Sequence, residues 1–585
     1  MEALTPPPPP PSSSLSIRGL SITVYHSTLT STTASVSSHF IANLLQSFPK
    51  PELRSEHVSE GFVDSLYQPR PSPHLHILVI STTGQGELNP DTSSIKPWLY
   101  SPHRVLPETT LWSVYAIGDK KYGDDYCKAG RIFYGKLMKC GGTRVGELGF
   151  GEGLKDSLTW LKKTLEGRLE FGEGSGRFEG RPSPYVVSEC VEASTASPPP
   201  PSEFNDFSIV SNTRITPSDH WQDVRLISLT GSCSYKSGDV FRVLPKNSDE
   251  DVQAFLNVAG FDSSSFEGVW RVEVVSEFYC EGWGSNFTFM DLLKSKADLG
   301  YTGVTVETMR SLAGFVDVGE EGGEKHRKKL RSFCETESGY SLFKEYVRRE
   351  KRSIIDVLAD FDTVKLNSLD DVLRILTPIQ PREYSIASAG QSKTIQLLVA
   401  FKEGTTAYGR NYIGLASKFW RAAAINDVVK GTTRAGSFEK VVECEKPAIF
   451  IGAGTGVAPL RSVIVGRARP NDDRLVFGCR NAEADYYFKD EWAASGIKVD
   501  VRCSRDQVRR IYVQDFVEKE GREIIAAHIL GGGGVAIAGG ASMAAAVQKE
   551  ILEILGERIE GGKDMAKRLL NSLKRKGTFV VEAWT

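Results

Sequence analysis

The chain has 585 residues, of which 40% are hydrophobic and 25% charged, and a formal net charge of −2. That length exceeds what one hydrophobic core organises and predicts roughly three or four domains. The near-zero charge excludes the strongly basic chain that nucleic acid or an anionic membrane surface attracts. Nine cysteines without a Cys-x-x-Cys pair or metal-ligand spacing predict reduced thiols and no metal site.

Residues 1–15 open with a Pro/Ser run that lacks the basic start and apolar core of a signal peptide, and read as a disordered tail. Residues 16–171 alternate strand and helix patterns. Strands are expected at Ile22–Tyr25, His76–Ser81 and Leu111–Ile117, and helices at Ser35–Leu45 and Lys128–Met138. Such alternation predicts a parallel α/β sheet, whose ligands sit at the carboxyl ends of the strands. Three loops fall there. The first, Ser27-Thr28-Leu29-Thr30-Ser31-Thr32-Thr33, is dense in hydroxyls before a helix, which suits a phosphate or simply caps the helix. The second, Thr82-Thr83-Gly84-Gln85-Gly86, has two glycines that let backbone approach a flat ring. The third runs from Gly118 to Tyr122, an aromatic able to stack or to pack.

Residues 172–205, rich in Gly and Ser and carrying a Pro run, read as a linker. From 206 to 440 a β-rich pattern, with strands at Asp223–Leu229, Asp239–Pro245, Tyr384–Ala387 and Thr394–Phe401, is interrupted at about 248–375 by helical patterns. A barrel with a helical insertion fits this, as does a separate helical domain. Within it, Arg382-Glu383-Tyr384-Ser385 places a guanidinium and a phenol on one face of a strand, with a hydroxyl following. That set suits a flat ring with a phosphate tail; the plainer reading is an edge strand with a surface arginine. Gly414-Leu415-Ala416-Ser417 offers small residues at a helix start, suited to a pyrophosphate or to ordinary capping.

Residues 441–585 return to α/β. The strand Ala448–Ile451 runs into Gly452-Ala453-Gly454-Thr455-Gly456-Val457-Ala458-Pro459, a glycine turn that brings backbone against a phosphate. Ser504-Arg505 after the strand Val499–Cys503, with Arg510, Tyr512 and Gln514 behind, suits a 2′-phosphate and favours NADPH over NADH; a solvated basic face is the alternative. The chain ends Glu582-Ala583-Trp584-Thr585, where a strand would place Glu582 and Trp584 on one face.

Taken together these motifs resemble the diflavin reductases over nearly the whole chain: a flavodoxin-like domain, an FAD-binding β-barrel with a helical insertion, and a Rossmann-like NADPH-binding domain. The resemblance implies that FMN is held by Ser27, Thr28, Ser31, Thr32, Thr82, Thr83, Gly84, Gln85, Gly86, Gly118, Tyr122 and Glu152. FAD is implied on Arg382, Tyr384, Ser385, Gly414, Leu415, Ala416, Ser417 and Trp584. NADPH is implied on Gly454, Thr455, Gly456, Ser504, Arg505, Arg510, Tyr512, Gln514 and Met543. Ser385, Glu582 and Trp584 would line the hydride path, the terminal ring moving to admit nicotinamide. Several positions depart from the family pattern. The first loop has Leu29, Thr30 and Ser31 where a Gly is usual, the loop after Tyr122 is one residue longer, and Ala416 and Ala538 stand where Cys is common.

Within the family, the length, the absence of an N-terminal membrane helix and the Glu-x-Trp-x ending look most like the cytoplasmic members that feed electrons to anamorsin-type iron–sulfur proteins in cluster assembly. A monomer without nucleic-acid or membrane partners is expected. The near-neutral first domain, with 17 Lys/Arg and 16 Asp/Glu over residues 1–171, argues against docking a basic haem protein. Two alternatives stay open: a soluble reductase for a haem protein or a sulfite-reductase flavoprotein, and an FAD-only reductase whose flavodoxin-like domain is a binding module.

Overall fold

The computed structural model describes residues 21–27, 36, 37, 40, 44, 53–83, 87, 88, 90–120, 126–152, 154–165, 185–189, 204–274, 283, 286–335, 337–390, 392–467 and 473–584. Three sheets organise these residues. The N-terminal sheet has parallel strands in the order Leu53–His57, Ser21–His26, His74–Thr83, Thr110–Ile117, with short strands Thr143–Arg144 and Gly149–Gly151 on the far edge. The order reverses between Ser21–His26 and His74–Thr83, so a crevice opens beyond their carboxyl ends. Apolar runs such as Leu111–Ile117, buried along their length, are what a parallel sheet covered on both faces requires.

The second sheet is antiparallel, in the order Arg382–Ser385, Val240–Leu244, Val428–Arg434, Asn205–Arg214, Val224–Gly231, Ile395–Ala400. A bridge between Ile386 and Leu397 joins its first and last strands and closes a barrel around Phe207, Phe241, Ile386 and Trp420. Closure removes the open edge that a free antiparallel sheet would present. Helices from Asp249–Ala259 to Leu369–Ile375 interrupt the barrel, several started by Ser or Thr capping boxes, as at Thr305, Ser353 and Ser368. The helices Phe289–Asp291 and Glu337–Phe343 each run on into a wider π turn, Leu292–Lys296 and Lys344–Arg349.

The third sheet is parallel, in the order Lys498–Cys503, Arg474–Cys479, Ala448–Ala453, Gly534–Gly540, Phe579–Trp584. Its central strand leads directly into the glycine turn.

Two strands pair inside segments read as a linker and as helices. Tyr185–Glu189, inside the segment read as a linker, pairs antiparallel with Trp270–Val274, inside the helical insertion. Both are rich in β-branched and aromatic residues, and the pairing outweighs the surrounding Pro/Gly composition. Hydrophobic packing is also continuous from the N-terminal sheet, through Tyr115 and Leu161, to Phe343 and Leu373 of the insertion. Among the described residues no helix is long and apolar enough to cross a membrane.

Candidate functional site

The strand Arg382–Ser385 lies at one end of the barrel order, paired with Val240–Val243. Arg382 is pinned at its base. Its Nη2 lies 3.6 Å from the Asp298 carboxylate and 3.3 Å from the Thr302 hydroxyl, and Nη1 donates to the Gln380 carbonyl. Asp298 is buried and is itself held by Gly300 N at 2.9 Å and Thr302 Oγ1 at 2.6 Å. A guanidinium anchored to a buried carboxylate is oriented before any ligand arrives, which lowers the ordering cost of binding a phosphate. Tyr384 meets Trp420 edge-on at 6.2 Å, and burial pushes its phenol up to about 12, so it stays neutral. Gly414 caps the helix Leu415–Ala422 without a side-chain hydrogen bond, leaving Leu415 and Ala416 at an uncapped helix start. The Ser417 hydroxyl is buried and accepts from Lys402 N at 2.8 Å, so it holds the adjacent strand end in place. Arg382 and this uncapped helix start together fit a dinucleotide flavin.

The glycine turn also meets its requirement. Gly454 has φ +56° and faces open space, while a Cβ on Gly456 would lie 2.2 Å from the Ala538 carbonyl. The turn therefore needs glycine for two reasons, a left-handed backbone and a backbone contact with the neighbouring strand. Thr455 lies between them in a 3₁₀ turn leading into the helix Val457–Gly466.

That helix is fastened to the barrel just beyond Ser385. Arg461 Nη1 donates to Ala387 O and to Gln396 Oε1, both at 2.8 Å. Ser462 Oγ donates to Ser388 O at 2.6 Å and accepts from Gly238 N at 3.1 Å.

On the outer side of the sheet, Arg505 and Arg510 are exposed and Ser504 is half-buried. Tyr512 starts the helix Val513–Glu518 with a capping box, its N–H donating to Asp515 at 2.7 Å. Beside it the Gln514 Oε1 is buried with no hydrogen-bond partner among the described residues. An orphaned acceptor there is a position that a ligand hydroxyl or amide satisfies. Arg480, at the end of the neighbouring strand, lies 3.5 Å from the Trp221 ring, which projects from the barrel. Met543 is half-buried in the first turn of the helix that follows Gly540. These features fit a phosphorylated dinucleotide.

Glu582 and Trp584 lie two apart on the last strand, opposite Ala538 and Gly540. Trp584 is 40% exposed, so its ring is free of the core. Glu582 accepts from the Ser437 hydroxyl at 2.6 Å, not from Ser385. Burial raises its carboxyl above the usual range, and the Ser437 bond opposes that shift. Alongside, Glu383 is clamped by Arg434 through two bonds, Nε at 2.9 Å and Nη2 at 2.6 Å. Asp298, Ser437, Arg434 and Trp221 were not singled out in the sequence, because each acts on a residue far away in the chain.

Of the residues expected around FMN, Ser27, Thr82, Gly118 and Glu152 are described; Thr83 is described in its backbone as the last residue of its strand. Thr28, Ser31, Thr32, Gly84, Gln85, Gly86 and Tyr122 lie outside the described residues. Ser27 is fully buried, and its hydroxyl accepts from Ser81 N at 2.8 Å, tying the two central strands together at their carboxyl ends. Thr82 Oγ1 accepts from Ala129 N at 3.1 Å at the start of the helix Lys128–Cys140. Gly118 has no room for a Cβ, which would lie 2.6 Å from Cys127 N. Glu152 accepts from Lys120 N at 3.1 Å and so spans two loops at the same end of the sheet. The described residues stand at the carboxyl ends of the strands where the strand order reverses, the place at which such sheets bind ligands.

Comparison with known proteins agrees with this geometry. An FAD binding domain model matches residues 207–419, and an oxidoreductase NAD-binding domain model matches residues 450–549. The chain is 26% identical to a protein of Cryptococcus neoformans var. neoformans over 85% of this chain and 89% of that one. It is 27% identical to one of Xenopus laevis over 88% and 92%, and 25% identical to one of Arabidopsis thaliana over 87% and 91%. All three relatives are named NADPH-dependent diflavin oxidoreductase 1. With the barrel and the glycine-turn sheet matched by those domain models and the relatives covering most of the chain, the chain is similar to the diflavin reductases and is an oxidoreductase.

Proposed function

We propose that the chain passes electrons from NADPH through FAD and FMN to an iron–sulfur protein of the anamorsin type, as a cytoplasmic monomer serving cluster assembly. The domains carrying these steps are 16–171 for FMN, 206–440 for FAD and 441–585 for NADPH, joined by the segment 172–205. The observation that carries the reading is the fastening of the helix Val457–Gly466 to Ala387 and Ser388. It holds the candidate flavin strand and the candidate nucleotide turn in one rigid contact, the fixed spacing that hydride transfer needs. When bound, FAD takes up a two-electron hydride and FMN releases electrons singly.

The protein's own residues set position and protonation. Arg382, braced by Asp298, would hold the FAD phosphate, Tyr384 and Ser385 would hold its ring, and Gly414 to Ala416 its pyrophosphate. Gly454, Thr455 and Gly456 seat the pyrophosphate of NADPH, while Ser504, Arg505, Arg510 and Tyr512 take the 2′-phosphate. Gln514 satisfies its orphaned oxygen on the same ligand, and Met543 borders the ribose. Trp584 would cover a bound flavin, and Glu582 would hold or release a proton beside it. In the N-terminal sheet, Ser27 and Gly118 shape the floor for FMN. Thr28, Ser31, Thr32, Thr82 to Gly86, Tyr122 and Glu152 complete its expected shell.

Flavin released by denaturing the purified chain tests the outlet: equal FAD and FMN are expected. The FAD-only reading is favoured by Leu29, Thr30 and Ser31 in the phosphate loop, and FAD without FMN after reconstitution would establish it. NADPH-driven reduction of a purified iron–sulfur acceptor, set against a haem protein, separates the acceptor classes.

A further inference from the structure

The mechanism above leaves one pair of nucleophilic side chains unused. Cys479 and Cys503 are the last residues of adjacent parallel strands and lie directly opposite each other in register. Their sulfurs are 3.5 Å apart, both as free thiols. Each is followed at once by candidate nucleotide residues, Arg480 on one side and Ser504-Arg505 on the other. We propose that Cys479 and Cys503 form a dithiol modification site that a low-molecular-weight disulfide oxidises to an intramolecular disulfide, weakening NADPH binding.

Geometry supports closure. Neighbouring strands run about 4.8 Å apart, inside the roughly 4.4–6.8 Å between α-carbons that a disulfide spans. Rotation of the two side chains is therefore enough to bring the sulfurs from 3.5 Å to bonding distance. Cys503 is half-buried and Cys479 buried, so the order of events follows from access. Cys503 loses its proton and attacks glutathione disulfide, breaking the S–S bond and releasing one glutathione thiolate. Cys479 then loses its proton and attacks the mixed disulfide at the Cys503 sulfur, releasing the second. Two protein S–H bonds and one S–S bond are lost, one protein S–S bond forms, and two glutathione thiols carry away the protons and the electron pair.

The consequence for the nucleotide rests on the proposed NADPH site. Ser504 N donates to Cys479 O at 3.0 Å, and Arg505 N donates to Arg480 O at 2.8 Å. Asp506 bonds Ala482 N at 2.9 Å, and Asp485 bonds Arg480 N at 2.9 Å. The two loops are thus laced to each other from the cysteines outward, and drawing the sulfurs together moves Arg480 and Arg505 as a unit. Burial, with Asp485 and Asp506 facing the sulfurs, holds both thiols above their ordinary pKa while Arg480 and Arg505 lie close by. Oxidation accordingly runs slowly at neutral pH and faster as pH rises.

The test uses the full flavin-loaded chain. After incubation with glutathione disulfide, free thiols are blocked and tryptic peptides mapped by mass. The expected product joins Leu475–Arg480 to Cys503–Arg505, two hydrogens lighter than the sum of the free peptides. Free thiols at both positions, or a lasting glutathione adduct on Cys503 alone, would overturn the site, whatever the nucleotide reading. On the cross-linked protein KM for NADPH is expected to rise about tenfold, the loss of one charge-assisted contact, and to recover with dithiothreitol. A cross-link that leaves KM unchanged would overturn the effect on binding while leaving the dithiol chemistry standing. Cys503→Ser should abolish both the cross-link and the response to glutathione disulfide; a response that survives in it would place the oxidation elsewhere.

Discussion

The N-terminal and C-terminal sheets are both parallel and both feed a crevice at their carboxyl ends, yet they bury polar groups in opposite ways. At the entrance of the C-terminal sheet, Arg467 and Asp473 form an ion pair that is 3% and 0% exposed. Every arm is satisfied: Arg467 also donates to the carbonyls of Val441, Cys444 and Lys446, and Asp473 accepts from Ala448 N at 2.7 Å. At the matching place in the N-terminal sheet stand His74 and His76, both buried. His74 bonds the hydroxyls of Ser21 and Thr23 at 2.5 and 3.0 Å, while both ring nitrogens of His76 lack a partner among the described residues. The sheet that must keep two ligands in register has a charged staple at its base. The N-terminal sheet tolerates an unsatisfied, neutral ring in the same place.

The difference is easiest to break at its charged end. Asp473→Ala leaves a guanidinium buried without its counter-ion and should cost ~3–5 kcal/mol, read by urea unfolding. A loss below ~1 kcal/mol would mean that the carbonyls alone hold Arg467. Next in size is the braced arginine. Arg382→Ala should weaken FAD retention by ~1.5–3 kcal/mol, roughly ten- to a hundredfold in dissociation constant, with Asp298→Asn giving a smaller loss of the same kind. Equal FAD content in Arg382→Ala and wild type after dialysis would remove Arg382 from the flavin site.

The neutral end predicts a response to acid. Burial lowers His74 to about 3 and His76 well below its ordinary value of 6.5. Below that ordinary value the unfolded chain takes up protons that the folded chain refuses, so stability present above pH 6.5 is lost as pH falls. His76→Phe removes two desolvated nitrogens and should stabilise the N-terminal sheet by ~1 kcal/mol near pH 5. An acid unfolding midpoint that does not move downward would show that His76 contributes nothing to the transition.

Smallest is the effect at Glu582, whose raised carboxyl keeps its proton past the usual carboxylate range. The rate of NADPH-driven ferricyanide reduction should show a limb above that range, flattened in Glu582→Gln. Ser437→Ala, which removes the bond favouring the charged form, should move the limb to higher pH, and Ser437→Thr should restore it.

Much of this was legible along the chain. The glycine turn could be read because strand, turn and helix start are contiguous, and close backbone approach leaves a local signature at Gly454 and Gly456. Glu582 and Trp584 could be paired because a strand has a period of two. Arg382 could be picked out, but its brace could not: Asp298 lies some eighty residues away across the helical insertion and leaves no local trace. Ser437 escaped for the same reason, lying 145 residues before the carboxylate it bonds. Trp270-Arg271-Val272-Glu273-Val274 does alternate as a strand, and the helical patterns around it masked a readable signal.

The strand Tyr185–Glu189 finally sets how much chain separates the first sheet from its next anchor. Had the chain run unattached from Leu165 to Phe204, its contour would allow the first sheet to travel up to roughly 130 Å from the barrel. Pairing with Trp270–Val274 moves the anchor point, and only residues 166–184 remain between it and the sheet, a reach of at most about 65 Å. The first sheet therefore stays within that radius of the helical insertion. Shortening or lengthening residues 166–184 should change electron delivery far more than the same change within residues 190–203.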